Sequence, residues 1–186
     1  MVEFSPAMPT NIEIKARCCD SVRQQQVAAS LATAPAEVLV QTDTFFVVPN
    51  GRLKLREMGP SKGELIFYDR NDVPGPKASF YSISHTNEPK SLRVLLASAL
   101  GVQCVVRKRR TVYLVGQTRI HFDEVEQLGE FLELEVVLGE GQRVEEGIEI
   151  AKSLSKQLGI SETDLVTGAY ADLLAGSSHP MENRKT

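Results

Sequence analysis

Five segments of this chain alternate charged and apolar residues so regularly that they constrain its fold more than any other feature. From Asn11 to Cys19, an extended backbone puts Glu13, Lys15 and Arg17 on one face and Ile12, Ile14, Ala16 and Cys18 on the other. Leu53 to Arg56 alternates apolar with basic, and Val106 to Arg110 is a basic run. Arg119 to Asp123 alternates charged or polar with apolar, and Leu132 to Val136 repeats the pattern with Glu133 and Glu135. One such strand is ordinary solvent exposure. Five point to a sheet whose apolar side packs under helices while its charged side faces inward on itself, as in a closed barrel with a charged bore.

Charges turned inward need partners or a ligand, because desolvating an unpaired charge is costly. The chain supplies both signs. Lys15, Arg17, Lys54, Arg56, Lys108, Arg110 and Arg119 suit a polyanion, and Glu13, Asp123, Glu133 and Glu135 suit a hard divalent cation bound through oxygen. Together they describe a site for a metal-complexed polyphosphate.

The chain has 186 residues, 42% of them hydrophobic, which fits one domain of ordinary size. A net charge of −3 argues against the diffuse basic surface of a general nucleic-acid binder, so no nucleic-acid partner is expected. No apolar run approaches the roughly 18 residues that span a bilayer, and residues 1–6 lack the basic and apolar parts of a secretion signal. No membrane partner and a cytoplasmic location are the expectation. Cys18, Cys19 and Cys104 are odd in number and show no CxxC spacing, which speaks against a disulfide framework and a zinc site. The GxxxxGK[ST] pattern is absent, which excludes classical P-loop chemistry.

Residues 1–10, with Pro6 and Pro9, read as a flexible leader, 11–174 as a single domain and 175–186 as a polar tail. After the first strand, Asp20 is an N-cap for a helix over about 21–33. Residues 41–48 and 52–57 form a hairpin through Pro49, Asn50 and Gly51. Strands follow over 64–70 and 77–84. Thr86 or Asn87 then caps a helix whose Leu92, Leu95, Leu96 and Ala99 cover the sheet, ending at Gly101. Strands over 102–115, 117–123 and 129–138 come next. Val144, Ile148, Ala151, Leu154 and Leu158 then mark a helix, and 161–174 reads as a last one. This is an α+β architecture: an antiparallel closed barrel of eight strands with helices packed outside.

Within that frame, Glu133 and Glu135 place two carboxylates on one strand face, enough for Mg²⁺ together with water and substrate phosphate. Asp123 and Glu13 share their parity. Lys54 with Arg56, and Lys108 with Arg110, repeat a basic pair at alternate positions, whereas Arg107 and Arg109 face the other way. Arg70 and Lys77 extend the polar face, with Tyr68 and Tyr81 as weaker candidates. His121 reads either as a general base or as a structural hydrogen-bonding residue.

These residues, in this order, resemble the CYTH family, the triphosphate tunnel metalloenzymes that include class IV adenylate cyclases, thiamine triphosphatase and inorganic tripolyphosphatases. The resemblance runs from about Asn11 to Leu174. It rests on Ile12 to Arg17, Gly51 to Glu57, Leu65 to Arg70, Lys108 with Arg110, Arg119 to Asp123 and Gly129 to Glu135. It implies a tunnel that binds a triphosphate through Lys and Arg, with Mg²⁺ or Mn²⁺ held by carboxylates. Carried onto this chain, the substrate contacts are Lys15, Arg17, Lys54, Arg56, Arg70, Lys77, Lys108, Arg110 and Arg119. The metal ligands are Glu13, Asp123, Glu133, Glu135 and Asn11, and Glu13 and Lys15 are the catalytic candidates. One position departs from the family signature Glu-x-Glu-x-Lys: Asn11 stands where the first carboxylate belongs, so a second cation loses a charged ligand.

The expected reaction is metal-dependent hydrolysis of tripolyphosphate, a nucleoside triphosphate or thiamine triphosphate by a monomer or homodimer. Two alternatives stand beside it. One is cyclisation of ATP to cyclic AMP and pyrophosphate, and the other is a polyphosphate-binding module without turnover.

Overall fold

The computed structural model describes residues 10–70 and 73–177. The elements run β1 (Thr10–Arg17), α1 (Ser21–Leu31), β2 (Glu37–Phe46), β3 (Arg52–Glu57), β4 (Gly63–Arg70), β5 (Lys77–Thr86) and α2 (Pro89–Leu100). They continue with β6 (Val102–Val115), β7 (Thr118–Val125), β8 (Gly129–Val137), α3 (Val144–Gln157), a 3₁₀ turn (Glu162–Asp164) and α4 (Tyr170–Ser177). The strands close into a barrel in the order β1-β5-β4-β3-β2-β6-β7-β8, with every neighbour antiparallel. The expected α+β barrel with external helices is the fold observed.

Alternation along the strands builds two environments at once. Ile12, Ile120, Leu132, Leu134 and Val136 point outward from β1, β7 and β8 and are fully buried under α1 and α3, with Ala28, Ala151, Leu154 and Leu158 facing them. Burying each large aliphatic side chain contributes about 1.5–3 kcal/mol. α3 lies so close that a Cβ on Gly147 would come within 2.5 Å of Leu138 and 2.6 Å of Ile12. Asp20 caps α1 as expected, its Oδ1 accepting from the Arg23 amide at 3.1 Å. Gly51 turns β2 into β3 at φ +59° beneath the Phe67 ring, where a side chain would clash at 2.7 Å.

Several boundaries differ from expectation. β2 starts at Glu37 because the long β6 offers it a ladder as far as Val112. α2 begins at Pro89 with Glu88 as its cap, while Thr86 Oγ1 accepts from the Glu88 amide instead. α2 covers the sheet only in part: Leu92 and Leu96 are half-buried, whereas Leu95 and Ala99 are exposed. On α3, Val144 is also exposed.

The expected helix over 161–174 is broken into two pieces. Beyond Glu13, β1 no longer pairs with β5, so its backbone has free groups on that side. The chain after the 3₁₀ turn takes them: Leu165 bridges Ala16, and the Val166 amide donates to the Lys15 carbonyl at 2.9 Å. Gly168, at φ +78°, then turns the chain into α4. α4 runs to Ser177, three residues into the expected tail, and the remainder of that tail lies outside the described residues, as do residues 1–9 of the leader, whose last residue, Thr10, opens β1.

Candidate active site

Inward-facing side chains enclose a cavity of about 400 Å³. Its wall is built from alternate positions: Glu13 and Lys15 on β1, Lys54 and Arg56 on β3, Lys108 and Arg110 on β6, Glu133 and Glu135 on β8. Arg107 and Arg109 do face outward, where they pair with Glu126 and Glu124.

The basic side chains are held by carboxylates in a repeated pattern. Asp43 on β2 accepts from Lys54 Nζ at 2.9 Å and from Arg56 Nε and Nη2 at 2.8 Å each. Asp123 on β7 accepts from Lys108 Nζ at 3.0 Å and from Arg110 Nε and Nη2 at 2.6 and 2.5 Å. A third cluster centres on Glu133, 3.1 Å from Lys15 Nζ and 2.6 Å from Arg110 Nη2. Arg70 pairs with Glu13, and Arg119 Nε lies 2.7 Å from Glu135 at the open end.

Burial and pairing pull the protonation equilibria apart. Burial disfavours ionised Glu133, but Lys15 and Arg110 outweigh it and hold the carboxyl well below the usual carboxylate range. Asp43 is held low in the same way by Arg56 and Lys54. Lys108 goes the other way: burial, with Arg110 beside it, lowers its ammonium to about 7. Burial and Arg110 also lower His121, favouring the neutral imidazole. His121 sits 3.8 Å from Glu133 and 3.9 Å from Glu135, beyond hydrogen-bond distance of either.

Three candidates lie elsewhere than the sequence pattern places them. β1 runs past the bottom of the bore, so Arg17 emerges exposed, its guanidinium 5.0 Å from the Phe131 ring and away from the cavity. Lys77 stands across the ladder from Glu13 but turns its Nζ to the Val73 carbonyl at 3.1 Å. Asp123, expected to help hold a metal, is fully enclosed and shared among Lys108, Arg110 and the Tyr170 hydroxyl, which donates to it at 2.9 Å. Its lone pairs serve as an internal counter-charge.

Two residues escaped the sequence reading. Asp43 had a legible signal, since the hairpin sets it opposite Arg56. Tyr170 had none, because only the break before α4 brings its ring into the bore.

The cavity-lining oxygens offered to a divalent cation on β1 and β8 are those of Glu13, Glu133 and Glu135, with the Asn11 amide; Glu37 and Glu64 line the cavity from β2 and β4. Asn11 is 2% exposed, lines the cavity, and its Oδ1 accepts no hydrogen bond. A buried carbonyl oxygen without a donor, two residues along β1 from Glu13, which itself pairs across the ladder with Glu135, suits a hard cation. Among the described residues, no three of His, Cys, Asp and Glu converge into a ready-made metal site. A cation here would need water and ligand oxygens to complete its shell.

A barrel of this topology with a bore lined by Lys, Arg and Glu defines the class, and comparison with known proteins agrees. The chain belongs to the CYTH family, whose CYTH domain matches residues 9–170. A curated relative, adenylate cyclase CyaB of Aeromonas hydrophila, is 25% identical over 174 residues, covering 87% of each chain. Among solved structures, the PH1012 protein of Pyrococcus horikoshii OT3 superposes with a TM-score of 0.78 at 24% identity, covering 88% of this chain and 98% of its own. HpAC1 from Hippeastrum, reported to have a dominant triphosphatase activity, superposes with a TM-score of 0.63 at 16% identity, covering 92% and 98%. At these identities the two structures speak for the fold. Among the described residues, no helix is long and apolar enough to cross a membrane.

Proposed function

We propose that this protein hydrolyses a triphosphate with the help of Mg²⁺ or Mn²⁺. The observation that carries this reading is the pair of Lys-x-Arg clasps, each fixed by its own aspartate, facing one cavity with Lys15 and Arg70. Asp43 and Asp123 hold their cations in place before any ligand arrives. The remaining N–H donors of Arg56 and Arg110 are therefore oriented in advance toward phosphate oxygens, the preorganisation on which phosphoryl transfer depends.

Glu133 and Glu135, with Glu13 and the Asn11 amide oxygen, are the residues that would hold the cation. When bound, such an ion neutralises phosphate charge and makes a water molecule more acidic. Attack of water oxygen on the terminal phosphorus breaks the bridging P–O bond and releases orthophosphate. Glu13, steadied by Arg70, is the carboxylate placed to take the proton from that water. Lys15, in contact with Glu133, supplies positive charge at the deep end, beside the oxygens of the terminal phosphoryl group.

A second reading has its own observation. Away from α4, apolar side chains join the lining of the bore among the charged ones of Glu37, Lys62, Glu64, Arg119 and Glu135: Leu39 beyond Gln41, Met58 beyond Arg56, Ile83 beyond Tyr81, Val112 and Leu114 beyond Arg110. That rim suits an organic group attached to the phosphate chain, which fits ATP cyclisation, the activity named for the Aeromonas relative. Incubation with tripolyphosphate, ATP and thiamine triphosphate, each with Mg²⁺ or Mn²⁺, separates the readings by product. Orthophosphate is expected; cyclic AMP with pyrophosphate would favour the second reading, and no turnover of any of the three would leave only binding.

A further inference from the structure

The bore is open at the rim just described and blocked at the other end. Toward α4, the inward positions following the charged ones are Phe45 after Asp43, Val106 before Lys108, Val125 after Asp123 and Phe131 before Glu133. All four are buried in one cluster with Ala169, Tyr170 and Ala171. The Tyr170 ring lies on top of this cluster, edge-to-face with Phe131 at 5.1 Å between centroids. Lys15 Nζ sits 3.6 Å and Lys108 Nζ 5.1 Å from the ring centroid. The Gly168 carbonyl lies close by, accepting from Lys15 Nζ at 3.4 Å and from Arg70 Nη2 at 3.0 Å.

We infer that Tyr170 is the floor against which a linear polyphosphate stops, and that this floor sets the chain length the site prefers. The inference rests on the polyphosphate reading above. A terminal phosphoryl group entering from the rim meets the two ammonium groups that lie against the ring and advances no further. Successive phosphates then fall beside Lys108 with Lys54, and Arg110 with Arg56. A fourth phosphate is pushed out past both clasps, to a rim where Leu39, Met58, Ile83 and Val112 stand among Lys62 and Arg119, the latter already paired with Glu135. Tyr170 is a positioning residue: it acts through where the anion stops and through Asp123, which its hydroxyl helps to fix.

The test is a calorimetric comparison of tripolyphosphate and tetrapolyphosphate binding to the full chain, without metal and with Mg²⁺. Tyr170→Phe keeps the ring and should keep the wild-type preference for three phosphates per unit of anion charge. Tyr170→Ala opens the floor and should move the ratio of the two dissociation constants about tenfold toward the longer anion, the worth of one charge-assisted hydrogen bond. Asp172→Ala is the second variant: Asp172 Oδ2 ties down α4 by accepting from the Ala169 amide at 2.7 Å and from Arg52 at 3.0 Å, outside the bore. It should shift the ratio in the same direction by less. A folded Tyr170→Ala protein with the wild-type ratio would overturn the inference, and if that variant does not fold, an unchanged ratio in Asp172→Ala would do so. Failure of the wild type to bind either anion would overturn the proposed function itself.

Discussion

Asp43 and Asp123 hold equivalent positions in two separate parts of the barrel wall. Each stands directly across a ladder from an arginine, Arg56 or Arg110, and each also accepts from the lysine two residues before it. The side chains are 3% and 0% exposed, so both carboxylates act as fixed counter-ions inside the protein. The basic clasps of the bore thus carry counter-charge of the protein's own.

Removing one counter-ion should therefore trade stability against anion binding. Asp43→Asn leaves Lys54 and Arg56 buried without their charge partner, a change expected to cost about 3–5 kcal/mol of unfolding free energy. Metal-free tripolyphosphate should bind more tightly, because it then meets two uncompensated cations. Urea denaturation and calorimetry on the same variant check both halves, and a weaker anion affinity in a folded protein would count against the clasp.

Glu133 bridges Lys15 and Arg110 and is also the leading ligand in the proposed cation site. Glu133→Gln should abolish turnover at saturating Mg²⁺ while leaving binding of metal-free tripolyphosphate equal or stronger. Glu135→Ala should lose turnover as well. Near-normal rates in either variant would place the metal elsewhere.

Lys108 gives a pH signature. Its pKa falls from an ordinary 10.5 to about 7 in the folded protein, so between those values the unfolded chain binds a proton that the native state does not. Through this group, stability rises with pH across that window and becomes independent of pH below about 7. A polyphosphate beside the ammonium favours its charged form. At pH 8, binding should then take up a proton, read as a dependence of calorimetric enthalpy on buffer ionisation enthalpy. Lys108→Met should remove that uptake, and an unchanged buffer dependence would assign it to another group.

Acid should act through the carboxylates. Asp43 and Glu133 are held below their ordinary pKa values by their cationic neighbours, after burial has been overcome. Their contribution to stability is complete above the ordinary carboxylate range, around pH 4, and is lost as pH falls through the lowered native values. Asp43→Asn should flatten the acid limb of a stability–pH curve; an identical limb would show that other groups control it.

Asn11 carries a buried amide oxygen without a donor. Asn11→Glu adds charge two residues from Glu13 and should move the Mg²⁺ and Mn²⁺ dependence of activity to lower concentration, while repulsion of the substrate raises KM. Superimposable metal titrations for the two forms would put position 11 outside the cation's reach.

Strand alternation alone determined the barrel and most of its inner wall, because a period of two assigns every second side chain to one face whatever the strand pairs with. That is why Glu13, Lys15, Lys54, Arg56, Lys108, Arg110, Glu133 and Glu135 were legible as one constellation, and why Arg107 and Arg109 were correctly set aside. Periodicity says which face a residue occupies but not how far along the bore it lies. Arg17 shares the face of Lys15 yet emerges beyond the floor, and Asp123 shares the parity of Glu133 yet is spent on Lys108 and Arg110. The floor itself belongs wholly to the tertiary structure. Residues 161–174 have a helical pattern, but the unpaired edge of β1 beyond Glu13 captures Leu165 and Val166, and that long-range pairing ends the helix and delivers Tyr170 to the bore.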